Sequence, residues 1–143
     1  MTDNGTTRRI VVGVDGSQGS EDALRWAARY AELIGADLDA LIAWSLPEIY
    51  AYASRDYAAD ARAALTRSVE RALGPDGAEH VTLHVVEGHP ATALTAHCPG
   101  AQMLVVGKHG HGGFVGMSLG SVSHHCVSHA CCPTVVVPGA IPR

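Results

Sequence analysis

The sequence predicts one α/β domain with a five-stranded, mostly parallel sheet, doubly wound in the order 3-2-1-4-5, a Rossmann-like arrangement. Short β-branched runs alternate along the chain with segments whose apolar residues recur at the helical period. The runs are apolar at nearly every position, as in parallel strands buried on both faces. The 143 residues contain no internal repeat or dividing linker, and this is the size of a single domain.

The first half of the chain predicts two strand–helix units, and a glycine ends each helix. Leu24, Ala27 and Ala31 repeat at the period that places them on one face of the first helix. In chain order, the predicted elements are strand 9–15, the turn Asp15-Gly16-Ser17, a helix to about Ile34, strand 37–44, a loop or irregular helix entry over 45–56 with Tyr50 and Tyr52 (Tyr57 follows), a helix over 55–73, and a break at 74–77.

The second half predicts three strands and two shorter helices. Pro90 suits the first turn of a helix, where its missing N–H costs nothing. Pro133 ends the last helix before a short apolar strand. In chain order, the predicted elements are strand 80–87, helix 90–98, strand 103–107, a glycine-rich loop, helix 118–130 and strand 134–137.

Composition and charge narrow the class of protein. The net charge is −4 and the Lys and Arg residues are scattered, so nucleic acid is not an expected partner. No apolar run approaches the roughly 20 residues of a membrane helix, and the polar stretch 1–9 is unlike a signal peptide. We therefore expect a cytoplasmic protein with no membrane partner, in which a flexible leader (1–8) and a short tail (139–143) flank a domain at 9–138.

Cysteines and histidines offer weaker signals. The four cysteines, at 98, 126, 131 and 132, form no CxxC pair, and we expect mostly buried, reduced thiols; a strained Cys131–Cys132 disulfide is the less favoured alternative. His125 and His129 are four residues apart on one helix, close to two of the cysteines. Without a second group at ligand spacing, solvated histidines are favoured over a metal site.

The glycine-rich loop after the fourth strand is the most distinctive stretch. It has glycine at 107, 110, 112, 113 and 116 and leads into the helix start Gly120-Ser121-Val122-Ser123. Glycine permits positive φ and lets backbone N–H groups approach a ligand closely. Amides ahead of a helix N-terminus favour phosphate, so we expect a nucleotide phosphate chain here. In the predicted strand order, the Asp15 turn lies across a crevice from this loop.

Two common phosphate patterns are absent from the loop. GxxxxGK[ST] fails because His109 stands where Ser or Thr is needed, and GxGxxG fails at Val115. The spacing that is present is Gly107-x2-Gly110-x9-Gly120-Ser121, which follows two valines and precedes a helix. This spacing resembles the ATP-binding members of the universal stress protein family. Stretches 11–17, 35–38, 90–91 and 130–137 also resemble that family, in the same order along the chain.

The resemblance implies ATP as the ligand, with or without magnesium, and assigns roles by position. Asp15 would accept from ribose hydroxyls, and Ala43 or Trp44 would meet the adenine. Lys108 and His109 depart from the usual small hydroxyl residue and arginine of the family, so Lys108 either contacts phosphate or is solvated. His109 and His111 either approach the phosphates and make binding pH-dependent or have no part in nucleotide binding. The implied nucleotide-binding residues are Gly13, Val14, Asp15, Ala43, Trp44, Gly107, Lys108, His109, Gly110, His111, Gly112, Gly113, Gly120, Ser121 and Val122.

The implied function is that of an ATP-binding regulatory protein, which in this family commonly forms homodimers through the last strand, here 134–137. No residue set suggests a catalytic centre, so we expect at most slow ATP hydrolysis. Two alternatives remain open. One is an enzyme on the same fold with hydrolytic or nucleotidyl-transfer activity, which would need a phosphate loop after strand one. The other is a nucleotide-free interaction module, against which Gly107, Gly110, Gly120 and Ser121 count.

Overall fold

The computed structural model describes residues 8–46, 56–110 and 119–139, which form five strands and four helices. The strands pair in parallel in the order β3-β2-β1-β4-β5, which confirms the predicted topology. The elements are β1 (Arg9–Gly13), α1 (Gln18–Ile34), β2 (Asp37–Trp44), α2 (Tyr57–Ala78), β3 (Val81–Glu87), α3 (Pro90–His97), β4 (Met103–Gly107), α4 (Ser121–His129) and β5 (Thr134–Val137).

Local chemistry sets the bounds of α1 and α2. The Ser17 hydroxyl caps α1 by accepting from the Ser20 N–H, and Gly35 ends that helix with a left-handed φ of 68°. The Asp56 carboxylate caps α2 at its start. The predicted break after Leu73 occurs at Gly74, where φ is 76°, but a further helical turn follows and extends the helix to Ala78. Pro75 starts this turn because a proline ring is preorganised for a first helical position.

Small differences separate the other predicted and observed bounds. β1 ends at Gly13 instead of residue 15, because the Asp15 N–H turns away from the sheet and donates to the Ser20 hydroxyl. β3 begins at Val81, and α4 begins at Ser121 after its N-cap Gly120. The leader at 1–7, the segment with Tyr50 and Tyr52, and residues 140–143 lie outside the described residues.

Alternate residues of the central strands feed two apolar layers, one on each face of the sheet. Ile10 and Val12 of β1 point toward α1 and α2, where they meet Leu24 and Leu65. Val11 points the other way, toward α3 and α4. These five side chains have no exposed surface, and each contributes about 1.5–3 kcal/mol to folding. The two layers hold the carboxyl ends of β1 and β4 side by side.

Candidate functional site

An open crevice of about 400 Å³ lies at the carboxyl ends of β1, β2 and β4. This is the edge of a doubly wound sheet where ligands bind, at the point where the strand order reverses. The crevice is lined by Gly13, Val14, Asp15, Ser17, Ser20, Leu41, Ala43, Pro90, Leu94, Val106, Gly107, His109 and Gly110. Two separately predicted segments, the Asp15 turn and the glycine loop, therefore meet in one place.

The Asp15 carboxylate is held in a defined orientation. Its Oδ1 accepts from the Ser17 N–H at 2.9 Å and from the Ser17 hydroxyl. Gly16, with φ of 84°, makes the turn that brings Ser17 back to the carboxylate. The Ser20 hydroxyl accepts from the Asp15 N–H at 3.3 Å. The charged group is thus exposed but oriented, as an acceptor for hydroxyl donors needs to be.

Gly107 and Gly110, the two described glycines of the loop, serve close approach of one chain segment to another. A Cβ on Gly107 would lie 2.9 Å from the backbone of Gly19, and a Cβ on Gly110 would lie 2.2 Å from Asp15 Oδ2. A Cβ on Gly19 would in turn lie 2.8 Å from the His109 carbonyl. Positive φ, the other expected reason for glycine, does not apply to Gly107 or Gly110. The loop thus rests directly on the first turn of α1.

Hydrogen bonds join the two ends of the loop to each other. The Gly120 N–H donates to the Lys108 carbonyl at 2.8 Å. The Ser123 hydroxyl donates to the same carbonyl at 2.9 Å and to the Gly120 carbonyl at 3.1 Å. The Lys108 N–H donates to the Val137 carbonyl at 2.9 Å, which fastens the loop to the end of β5. The start of α4 is therefore held at a fixed distance from the end of β4.

The first turn of α4 presents backbone donors near this loop. Its N-cap is Gly120, with φ of −70°, and no side chain in the described part of the chain caps the helix. The first N–H groups of a helix carry its positive dipole end and need an acceptor from elsewhere. The Gly120 N–H, which was expected to hold phosphate, is already bonded to Lys108. Ser121, which is exposed, and Val122 are the positions that can present helix-start donors to an anion.

Of the remaining residues predicted to bind the nucleotide, some line the crevice and others do not. Ala43 lines the crevice, whereas Trp44 packs against the core beneath α1 and α2, because successive strand residues point to opposite faces. His109 lines the crevice and Lys108 does not. The predicted binding residues His111, Gly112 and Gly113 lie outside the described residues.

Sequence reasoning missed several residues of the crevice. Ser17 and Ser20 were visible as a helix-start pattern, since Ser commonly caps a helix and bonds to the amide three residues on. Leu94 had no local signal in the sequence. It reaches the site because Gly13 has no side chain; a Cβ on Gly13 would lie only 2.8 Å from the Leu94 Cδ1. Such a contact between β1 and α3 depends on the packing of segments far apart in sequence.

A second, larger groove of about 1260 Å³ lies at the opposite edge, near the amino ends of β2 and β3. Its walls are the last turns of α1 and α2, with residues such as Arg29, Glu32 and His80. Its described lining includes no residue of the glycine loop or of the start of α4. Among the described residues, no group of three or more His, Cys, Asp or Glu side chains is arranged to hold a metal ion. None of the described helices is long and apolar enough to span a bilayer.

Comparison with known proteins agrees with the fold. The model of the universal stress protein family matches residues 6–138. Universal stress protein Rv2005c of Mycobacterium tuberculosis is 38% identical over 132 residues, which cover 89% of this chain and 44% of that protein. The chain thus spans less than half the length of the curated relatives it matches.

Two similar structures were solved with adenine nucleotides. A universal stress protein in complex with cAMP has a TM-score of 0.68 and 26% identity, and the match covers 95% of this chain and 100% of that one. The universal stress protein from Archaeoglobus fulgidus in complex with dAMP has a TM-score of 0.63 and 20% identity, covering 93% and 99%. The family model matches nearly all of the domain, and we conclude that this chain belongs to the universal stress protein family.

Proposed function

We propose that the chain is a cytoplasmic regulatory protein that binds ATP, with or without magnesium, in the crevice between the Asp15 turn and the glycine loop. The observation that carries this proposal is the close approach of Gly107 to Gly19 in the first turn of α1 and of Gly110 to the Asp15 carboxylate. That contact places an oriented carboxylate and an anion-favouring loop on one crevice. The similar proteins solved with cAMP and dAMP support an adenine nucleotide as the ligand class.

The proposed orientation follows from charge. The Asp15 carboxylate repels phosphate and accepts from hydroxyls, so it suits the ribose. Ala43 and Leu41 offer a small apolar wall for the adenine. The N–H groups of Ser121 and Val122 suit the phosphates, since they stand at the positive end of α4. The Lys108 carbonyl accepts from the Gly120 N–H at that helix start, and in the proposed complex the Lys108 side chain would add a positive charge on the phosphate side.

Magnesium fits this site only if the nucleotide phosphates also coordinate it. Asp15 is an oxygen donor of the type that Mg²⁺ accepts, but its Oδ1 already accepts from Ser17. Phosphate oxygens and water would supply most of the other ligands. Bound there, the ion would neutralise phosphate charge beside the carboxylate.

The proposal does not include enzymatic turnover beyond slow ATP hydrolysis. Around the crevice, the described side chains offer one carboxylate and one imidazole, Asp15 and His109. The hydroxyl that donates to the carboxylate, Ser17, is also the N-cap of α1, which gives it a structural role. The turn after β1 is short and is occupied by hydrogen bonds among Asp15, Ser17 and Ser20. An enzyme of the nucleotidyl-transfer type would need a phosphate loop at that position.

The proposal also includes a homodimer through β5. This strand pairs with β4 and forms one edge of the sheet, and its residues Thr134–Val137 are all half-buried. An apolar edge strand is a ready template for pairing with a second chain. Size-exclusion chromatography with light scattering tests this: a Val136→Lys variant should shift the mass from two chains to one.

Acid extraction of the purified full chain, followed by chromatography of the released nucleotide, tests ligand identity directly. Titration calorimetry with ATP then compares wild type with Ser121→Glu, which sets a negative charge at the start of α4. Ser128→Glu, at an exposed position late in the same helix, is the matched control. Binding should weaken at least tenfold, about 1.4 kcal/mol, only in the first variant. Absence of adenine-nucleotide binding at millimolar concentration refutes the proposal, and sustained turnover lost with Asp15→Ala favours the enzyme alternative.

A further inference from the structure

The four cysteines gather at the end of the domain opposite the crevice. Cys98 follows α3, and Cys131 and Cys132 stand between α4 and β5, near the amino ends of β4 and β5. The Sγ atoms of Cys98 and Cys131, 33 residues apart in sequence, are 3.5 Å from each other. Nothing in the proposed nucleotide site uses these thiols. The Cys131–Cys132 disulfide considered from sequence is not formed, and all four cysteines are free.

The two facing thiols differ in access to solvent. The Cys98 side chain has no exposed surface, whereas Cys131 is exposed. Cys126 is fully buried, and Cys132 is half-buried. A solute in water can therefore contact Cys131 directly, whereas Cys98 lies buried behind it and in contact with it.

The surroundings of Cys98 favour its thiolate. Burial opposes ionisation, but hydrogen bonds from the Cys131 N–H and from the Cys131 and Cys132 thiols lower the pKa of Cys98 below its ordinary value. The same contact raises the pKa of Cys131. Burial raises the pKa of Cys126 to about 11 and, with the charge on Cys98 adding to burial, that of Cys132 to about 12. Of the four thiols, Cys98 is thus the one whose pKa these contacts lower, and it also donates to the Thr95 carbonyl at 3.1 Å.

We propose that Cys98 and Cys131 are a peroxide-sensitive dithiol that closes reversibly to a disulfide. Cys131 loses its proton, and its exposed thiolate attacks hydrogen peroxide, a two-electron oxidant. The O–O bond breaks to give the Cys131 sulfenic acid and a hydroxide, which takes up that proton as water. The Cys98 thiolate then attacks the Cys131 sulfur, forming the S–S bond and expelling hydroxide, which takes up the proton that Cys98 had released. In total, two thiols and one peroxide give one disulfide and two waters.

The geometry supports this pair over the other thiols. A disulfide needs the sulfurs to move from 3.5 Å to about 2.05 Å. The bridge would join the end of α3 to the α4–β5 turn. The chain between them contains β4, the glycine loop and α4. Because the dithiol lies away from the crevice, its oxidation is tested without any nucleotide.

Peptide mapping of the oxidised full chain tests the proposal. The chain has no Lys or Arg between Arg71 and Lys108, nor between Lys108 and Arg143, so trypsin places Cys98 in peptide 72–108 and the other three cysteines in 109–143. Reduced protein is treated with hydrogen peroxide, blocked with N-ethylmaleimide and digested. Wild type should yield the two peptides joined by one disulfide, about 2 Da lighter than their sum, and dithiothreitol should separate them.

Matched serine variants identify the bridging sulfurs. Cys98→Ser and Cys131→Ser should abolish the linked peptides, and Cys132→Ser, the adjacent cysteine, should retain them. Far-UV circular dichroism checks that each variant is folded. Because the Cys131 side chain is exposed, Cys131→Ser should perturb the core least. The proposal is overturned if wild type forms no link, if a Cys131–Cys132 disulfide forms within peptide 109–143, or if the link survives in Cys131→Ser.

Discussion

Replacing Gly110 by alanine separates the proposed binding role of the loop from its role in folding. A Cβ at this position would lie 2.2 Å from Asp15 Oδ2 and 3.4 Å from the Asp15 Cγ, with no backbone atom among its nearest contacts. The φ of Gly110 is not positive, so alanine adds no backbone strain of that kind. The new methyl group therefore acts on one partner, the Asp15 carboxylate.

The structure sets the size of the effect. The Asp15 oxygen must move by at least 0.8 Å to restore a 3.0 Å contact. Asp15 is exposed, so water replaces any hydrogen bond from Ser17 that the movement breaks, and the free energy of unfolding should change by less than about 1 kcal/mol. A charge-assisted hydrogen bond to a ribose hydroxyl is worth about 1.5–3 kcal/mol, so ATP affinity should fall about 10- to 150-fold.

Titration calorimetry of wild type, Gly110→Ala, Asp15→Ala and the double variant measures both the effect and its route. If the methyl group acts through the carboxylate, Gly110→Ala should cost almost nothing further once Asp15 is alanine. Urea unfolding of each variant checks stability. Equal ATP affinity of wild type and Gly110→Ala, or additive losses in the double variant, would refute this account of the site.

Three further predictions concern stability, the loop and pH. Leu65→Ala, at a side chain with no exposed surface, should lower the free energy of unfolding in urea by about 2–5 kcal/mol, whereas Leu33→Ala, 77% exposed, should change it by less than about 0.5 kcal/mol. Ser123→Ala removes the hydroxyl that bonds the Lys108 and Gly120 carbonyls, so it should cost about 1–2 kcal/mol and weaken ATP binding, with Ser128→Ala as the unaffected control. Burial, and to a lesser extent the nearby His84 and Arg9, lower the pKa of His97 in the folded state below its ordinary value of 6.5. The neutral His97 of the folded protein therefore contributes stability above pH 6.5, and this contribution is lost as the pH falls through the folded pKa. His97→Gln should therefore lessen the drop in melting temperature between about pH 7.5 and about pH 5.5, and an undiminished drop, or the same result with His80→Gln, would contradict this.

The sheet order could be predicted because the signals for it are local and repeated. β-branched runs such as Val11-Val12 indicate strands buried on both faces, and the intervening helical periods require right-handed crossovers between parallel strands. Turn residues add firm boundaries, as Gly35 and Gly74 show with their positive φ. The extra turn up to Ala78 was not predicted, because a Gly-Pro pair indicates a break but gives no sign of whether helix resumes beyond it.

The candidate site was only partly predictable. The glycine spacing and the Asp15 turn were visible as sequence patterns, and the strand order placed them on one crevice. The choice between Ala43 and Trp44 depended on which face each residue presents, which the register of β2 in the sheet decides. The reason for glycine at 110 was likewise hidden, because it lies in a contact with Asp15, 95 residues earlier in the chain.

The sequence by itself determined the elements, their order and the family, because these follow from periodicity, turn chemistry and motif spacing along the chain. The tertiary structure alone decided which distant groups touch. Cys98 and Cys131 show no pattern in sequence, yet packing of α3 and α4 on one face of the sheet brings their sulfurs to 3.5 Å. Tertiary packing likewise decides that Gly107 approaches Gly19 of α1 and that Gly110 approaches Asp15, since close packing joins residues that no local rule relates.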